Sequence, residues 1–324
     1  MDLQQLRALV LVAEAGSVTE AARRLYLTQP AVTRQIRALE DELGGSLFDR
    51  TKKPLAPTSL GETALEQARR ILRMAEDLRA TVSSDAGTLK GELRVGVSHT
   101  LAREVLTPLA LELRRQYPGL RLRLTTEWGA ALRRLVEEEL LDAAIGLAPP
   151  QMHFPAGLAA RQLGPGPELA VPVSSVKTPL KGTVPVGALR GVGWVLSPEG
   201  CGYRAQLKRN LEEAGISFHV VVEAPNIDLQ LELIREGLGA GIVPKRGLPS
   251  RLAEAGLQTF QIEGLTFSLA VWLSYRPVGP IIPVAIPVIE RTISALLQKT
   301  TKGANEQRGI GRRGPARGTG RRAR

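Results

Sequence analysis

The pattern that most restricts this chain lies between residues 28 and 43. Val32, Ile36, Leu39 and Leu43 recur at spacings of four, three and four, one face of an α-helix, while Pro30, Thr33, Arg34 and Arg37 fall on the opposite face. Such a helix must rest its apolar back on a small core and leave a polar, cationic front for something else. Leu3, Leu6, Leu9, Val10 and Ala13 supply one wall of that core as a first helix, which Gly16 can end in the left-handed conformation. Ser17-Val18-Thr19-Glu20 predicts a capping box opening a second helix. Its Ala21-Ala22 pair permits close approach, and it stops near Leu25. Thr28 is the expected N-cap of the third helix, with Gln29 and Pro30 in its first turn, where a missing N–H costs little. Two helices joined by a tight turn, the second cationic on its outer face, make a helix-turn-helix that lays its second helix in the major groove. Ser46 to Arg50 and Leu55 to Pro57 then predict two short strands, a wing turning through Thr51-Lys52-Lys53-Pro54.

Each exposed side chain has a chemistry suited to duplex DNA. Gln29 can bond an adenine edge in pairs and Arg34 or Arg37 a guanine, while Pro30 and Thr33 can meet a thymine methyl or a phosphate. Arg50, Lys52 and Lys53 on the wing suit backbone phosphates or the adjacent minor groove. For any one of them the alternative is a solvated surface group.

Charge adds less than its size suggests. The 324 residues carry a formal +11, yet residues 1 to 65 hold 8 cations and 8 anions, whereas residues 302 to 324 hold 8 and 1. The basicity is thus concentrated in a Gly/Arg-rich end, residues 299–324, that reads as a disordered tail. One cysteine, Cys201, excludes an internal disulfide framework, and with only three histidines a Cys/His zinc cage is excluded too; no cofactor is expected. The N-terminus lacks a cationic secretory start, and no run reaches the ~18 apolar residues of a membrane span. A cytoplasmic protein with no membrane partner is expected.

Ser59-Leu60-Gly61-Glu62 predicts a second capping box, followed by a helical pattern to about Ser83. Ala68, Ala75 and Val82 fall seven apart, with Ala64, Ile71 and Leu78 as the companion row. That seam implies either a pair of chains or an amphipathic helix packed on its own domain.

From Gly91 strands alternate with helices. Strands are expected at 93–97, 120–124 and 143–147, and helices from Thr107-Pro108 to Tyr117 and from Ala131 to Leu141, giving βαβ units and a mostly parallel sheet. Leu163-Gly164-Pro165-Gly166-Pro167 reads as a connection to a second set. There, strands are expected at 169–173, 194–196, 220–222 and 241–243, with helices through Leu207 and Leu211 and from Ile227 to Leu238. A strand at 269–273 and a helix from Pro287 to Leu297 would return the chain to the first set, so two subdomains share a hinge and a cleft. Strand ends deliver Ser98-His99-Thr100 and Ser197 through Gly200-Cys201 to that cleft, and Asn226 would cap the following helix. His99 is read as a donor or proton sensor or, alternatively, a structural histidine. Cys201 reads as a buried thiol rather than a redox sensor, because the chain has no resolving partner.

Gly16-Ser17, Ala21-Ala22, Leu25, Gln29 to Val32, Ile36, Leu39-Glu40, Leu43-Gly44, Leu47-Phe48 and Arg50 together closely resemble the LysR-type transcriptional regulators. Thr33, more often serine there, and Leu60, usually a small residue, depart from the pattern. Leu141 to Gly146 and Gly237 to Pro244 resemble the family's effector domain, similar to periplasmic solute-binding folds. The resemblance implies an α/β chain: a winged helix-turn-helix (1–58), a linker and dimerisation helix (59–88), effector subdomain I (91–163 and 265–298) and subdomain II (164–264). It further implies a homodimer or homotetramer on double-stranded promoter DNA and a small polar or anionic metabolite in the cleft, with Ser98 and Thr100 its foremost ligands. RNA polymerase would be a partner of an activator. An enzyme on the same scaffold is disfavoured because no phosphate loop, dinucleotide fingerprint, metal cluster or nucleophile elbow is present. A transport-type binding protein is disfavoured by the missing leader and the DNA module.

Overall fold

The N-terminal core forms where the apolar stripes of three helices meet: α1 (Leu3–Ala15), α2 (Val18–Leu25) and α3 (Gln29–Leu43). Leu6, Leu9, Val12, Ala21, Ala22, Val32, Ile36 and Leu39 are buried together. The computed structural model describes residues 1–82, 89–248 and 252–310. Gly16 takes φ +60 after α1, and its carbonyl accepts from Leu55 N (2.9 Å), pinning the wing to the turn between the first two helices. The wing strands are β1 (Phe48–Asp49) and β2 (Ala56–Pro57), paired antiparallel.

Three caps differ from expectation. Asp2 and Gln5 form a reciprocal capping box that the apolar pattern did not reveal. At Ser17 only half of a box forms: Ser17 Oγ accepts from Glu20 N (3.4 Å), but the Glu20 carboxylate accepts from Arg23 and Arg24 instead. The linker helix α4 (Ser59–Val82) is capped one residue early, by Thr58 Oγ1 accepting from Gly61 N (3.0 Å).

Ala68 is buried against α1, with Ala64 and Ile71 partly buried beside it, so the first half of the expected seam packs within its own chain. Met74 and Leu78 stay exposed. The side chain of Val82 and residues 83–88 lie outside the described residues.

The effector half is a mixed sheet rather than a mostly parallel one. Strands β3 (Gly91–Ser98), β4 (Leu120–Glu127) and β5 (Ala143–Ala148) are parallel, joined by α5 (His99–Gln116) and α6 (Gly129–Glu137). Two long antiparallel strands then cross between the subdomains: β6 (Ala159–Ser175) and β12 (Phe267–Tyr275). The Pro/Gly-rich 163–167 segment is therefore inside β6, not a connection. Its register with β12 shifts between Leu269 and Val271, and a bulge is where a ladder tolerates proline. Subdomain II adds β7 (Gly182–Val184), β8 (Gly193–Leu196), α7 (Gly202–Glu213), β9 (His219–Glu223), α8 (Ile227–Arg235), β10 (Gly241–Pro244) and β11 (Leu257–Ile262). The main sheet runs β4-β3-β5-β12-β6-β11-β7, with β10 also on β6; β8 and β9 pair separately.

Among the described residues, two helices carry a proline beyond their first turn. α5 starts eight residues before Thr107 because Leu101, Val105, Leu109 and Leu113 form one buried stripe carrying the helix through Pro108. α9 (Ile282–Ile310) likewise runs through Pro287, and its backbone continues twelve residues past the expected end of the effector domain at 298. The 299–324 segment thus begins as helix, since its run from Gln298 to Arg308 holds mostly helix-compatible residues and one glycine. Residues 311–324 lie outside the described residues.

Candidate DNA interface and effector cleft

On α3 the burial follows the spacing for three of its four apolar positions. Val32, Ile36 and Leu39 are buried, but Leu43, at the last turn, is exposed; Gln29, Pro30, Arg34 and Arg37 are exposed and Thr33 is half-buried. Thr28 is the N-cap residue but makes no side-chain bond, so the N–H groups at this helix start are not covered by it. Thr33 Oγ1 donates to Gln29 O (2.9 Å), and Gln29 Nε2 donates to Thr33 Oγ1 (3.3 Å), which orients the amide along the front of the helix. Lys52 and Lys53 are exposed at the wing tip. Arg50 is different: its Nη2 donates to Glu40 Oε2 (2.9 Å), while Glu40 Oε1 accepts from Leu47 N (2.9 Å). Glu40, buried on the back of α3, thereby ties the wing to the helix, and Arg50 remains 59% exposed despite that bond.

Between the effector subdomains lies a cavity of about 630 Å³. Its wall is built from helix starts. His99 and Thr100 open α5, Cys201 and Tyr203 flank the start of α7, Asn226 and Ile227 open α8, and Trp128 precedes α6. Asn226 Oδ1 caps its helix by accepting from Leu229 N (2.9 Å), but Ser98 and Trp128 make no capping bond and Cys201 offers only a thiol. The His99 and Trp128 rings pack 4.8 Å apart. Burial pushes the Cys201 thiol up and the Tyr203 phenol far up, so both are neutral donors at physiological pH.

Arg246, just after β10, is 8% exposed and spans the cleft floor. Its Nε donates to Glu168 Oε2 (2.7 Å), one Nη bonds the other Glu168 oxygen, and the second Nη pairs with Glu104 on α5. Tyr203 Oη donates to Glu168 O (3.0 Å). Arg246 is thus spent on two carboxylates, and the donors left for a ligand are N–H groups, hydroxyls, His99 and the guanidinium of Arg103, which also lines the cavity.

Residues 3–62 match the family described as bacterial regulatory helix-turn-helix protein, lysR family, and residues 86–295 match the LysR substrate binding domain. The chain belongs to the LysR family. Among LysR relatives, the RuBisCO operon transcriptional regulator of Allochromatium vinosum is 27% identical over 85% of this chain and 90% of the relative. A full-length point variant of OxyR from Pseudomonas aeruginosa superposes with a TM-score of 0.64 at 25% identity, covering 90% of this chain and 94% of that one. CbnR complexed with its target DNA gives 0.59 at 24%, over 90% and 100%. The LysR relatives are transcriptional regulators, a non-enzyme family, and this chain has their DNA-binding and effector-binding domains.

Of seven expected cleft residues in this LysR chain, His99, Thr100, Ser197, Cys201 and Asn226 line the cavity. Ser98 does not: it is buried behind the start of α5, its Oγ without a hydrogen-bond partner. Gly200 shapes the mouth instead, at φ +92 with the place of a Cβ 3.0 Å from Trp128 Cβ. Arg246, Glu104, Glu168, Trp128 and Tyr203 were missed by sequence reasoning. The one local signal was that Arg246 follows the Gly237 to Pro244 stretch that resembles the family. Among the described residues no His/Cys/Asp/Glu group could hold a metal, and no helix is long and apolar enough to cross a membrane.

Proposed function

We propose that this LysR-type regulator reads a two-fold related operator with paired recognition helices and changes its grip when a small polar or anionic metabolite enters the cleft. The observation that carries the reading is the convergence of four helix starts on one cavity, with the starts of α5 and α6 lacking side-chain caps. N–H groups there, with the positive ends of the helices, attract an anion, and the tying of Arg246 to two carboxylates leaves that task to them and to Arg103 in the cavity wall. His99, Thr100, Ser197 and Asn226 contact the ligand; Ser98 supports the turn from behind, Gly200 keeps the mouth narrow, and Cys201 contributes a neutral thiol.

In the reader, Gln29, Pro30, Thr33, Arg34 and Arg37 face bases, and Lys52 and Lys53 face phosphates. Arg50 reaches a phosphate while braced by Glu40. Residues 1–58 form the reader and 59–88 the linker, with 91–163 and 265–298 as subdomain I and 164–264 as subdomain II. Exposed Met74 and Leu78 on α4 suit a second copy, giving a dimer or tetramer, and a regulator that activates would also touch RNA polymerase. CbnR, solved on its target DNA, supports the placement of the reader.

The test is DNase footprinting on the protein's upstream DNA with a panel of small carboxylates and phosphorylated metabolites. A protected, two-fold site whose pattern one compound alters, with the alteration abolished by Thr100→Val, is expected. Unchanged protection by every compound would sink the sensing part, and an unprotected fragment the reading part.

A further inference from the structure

Helix α6 spans nine residues, about 14 Å at 1.5 Å per residue, and its two ends touch different things. Its start carries Trp128 in the cleft wall. Its end closes in a Schellman turn: Leu140 N donates to Leu135 O (2.8 Å) and Glu139 N to Val136 O (3.2 Å). The residue that must be left-handed in that turn is Glu139, φ +61, a place where glycine is usual and any side chain is strained. The carboxylate held there binds two guanidinium groups. Its Oε2 accepts from Arg73 Nη2 (3.4 Å), and its Oε1 pairs with Arg276. Arg73 Nη2 also donates to Glu138 O (3.1 Å). Arg73 belongs to the linker helix α4, and Arg276 directly follows β12, a strand that crosses between the subdomains.

One strained carboxylate therefore joins the end of α6, the subdomain I end of β12 and the helix that carries the DNA reader. We propose that α6 and Glu139 couple the cleft to the linker helix: Glu139 is a positioning residue that holds Arg73 in one subdomain arrangement and releases it in the other. Arg73 is only 8% exposed, and its own Nε has no hydrogen-bond partner. Burial first, and the like charge of Arg94 second, weaken its hold on a proton, with Glu139 the principal opposing charge. Without that carboxylate the cation is crowded in a partly dry place. Beside it a cavity of about 390 Å³, bordered by Leu72, Glu76, Arg123 and Leu135, gives the guanidinium somewhere to go without disturbing a packed core. The coupling rests on the effector reading of the cleft, but its test needs no effector.

Hydrogen exchange on the full-length protein bound to its promoter fragment supplies the readout. Glu139→Gly suits the left-handed turn, so α6 keeps its protection, while exchange in residues 66–82 of α4 rises by about 5-fold or more, the low end of usual couplings. Glu139→Gln does the same to α4. The decisive variant is Gly200→Ala, which pushes on Trp128 at the other end of α6, with Trp128→Leu as a substitute should it fold poorly. Either changes α4 exchange in the wild-type background and not in Glu139→Gly. The proposal is overturned if Glu139→Gly leaves α4 exchange unchanged, if both cleft variants leave it unchanged, or if their effect persists without Glu139. Any of these removes the coupling path and leaves the cleft reading to the footprint.

Discussion

Arg246 shows what a single residue does to the cleft. Breaking a buried ion cluster strands its partners, so Arg246→Met leaves Glu168 and Glu104 facing each other uncompensated and costs about 3 kcal/mol, read as a lowered urea midpoint. An unchanged midpoint would mean the carboxylates are hydrated and the cluster contributes nothing. Cys201 makes the opposite kind of prediction. Burial holds the thiol protonated through neutral pH, so alkylation at pH 7.5 is slow in the folded protein and speeds on unfolding; fast native labelling contradicts the assigned burial. On α3, Arg34→Ala should cost about 1–3 kcal/mol of discrimination at one operator position, measured by competition between site variants. Lys52→Ala should instead weaken all sequences alike and lower the salt slope by about 1. His99, Thr100 and Asn226 were legible because a strand end followed by a helix start is a local pattern. Arg246 was not, because Glu168 and Glu104 lie 78 and 142 residues away from it.

At the scale of elements, the join between wing and linker is the tightest steric point. A Cβ on Gly61 would lie 2.0 Å from Leu47 O, so the wing strand must shift to admit one. Gly61→Ala is expected to destabilise the N-terminal domain by about 1–3 kcal/mol in thermal unfolding; a neutral result would show that the wing is loosely held. Apolar spacing revealed α1 to α3 well, because the buried stripe alone decides those helices. It failed at α5 and α9, where prolines suggested breaks but stripes such as Leu101 to Leu113 outweighed one lost N–H bond. It also failed at β6, whose Gly/Pro run looked like a loop until its bulge against β12 was seen. Sheet direction was hidden for a related reason: β6 and β12 meet only in the folded chain.

For the whole molecule, the +11 charge and the DNA reader are separate matters. Residues 311–324 contain six arginines and no acid, so their removal should flatten the salt dependence of non-specific DNA binding by about 0.9 per lost phosphate contact while the footprint stays the same. A moved footprint would make the tail a sequence reader. The exposed Met74 and Leu78 bear on assembly: sedimentation equilibrium should find a dimer or tetramer at micromolar protein, and a monomer would remove the paired readers. The central claim, that ligand in the cleft alters the reader's grip on DNA, is met most directly by footprinting the upstream fragment across the metabolite panel. The account predicts a two-fold protected site whose boundaries shift with one anionic or polar compound and no longer shift in Thr100→Val. Protection no greater than on competitor DNA, with and without every compound, would contradict it.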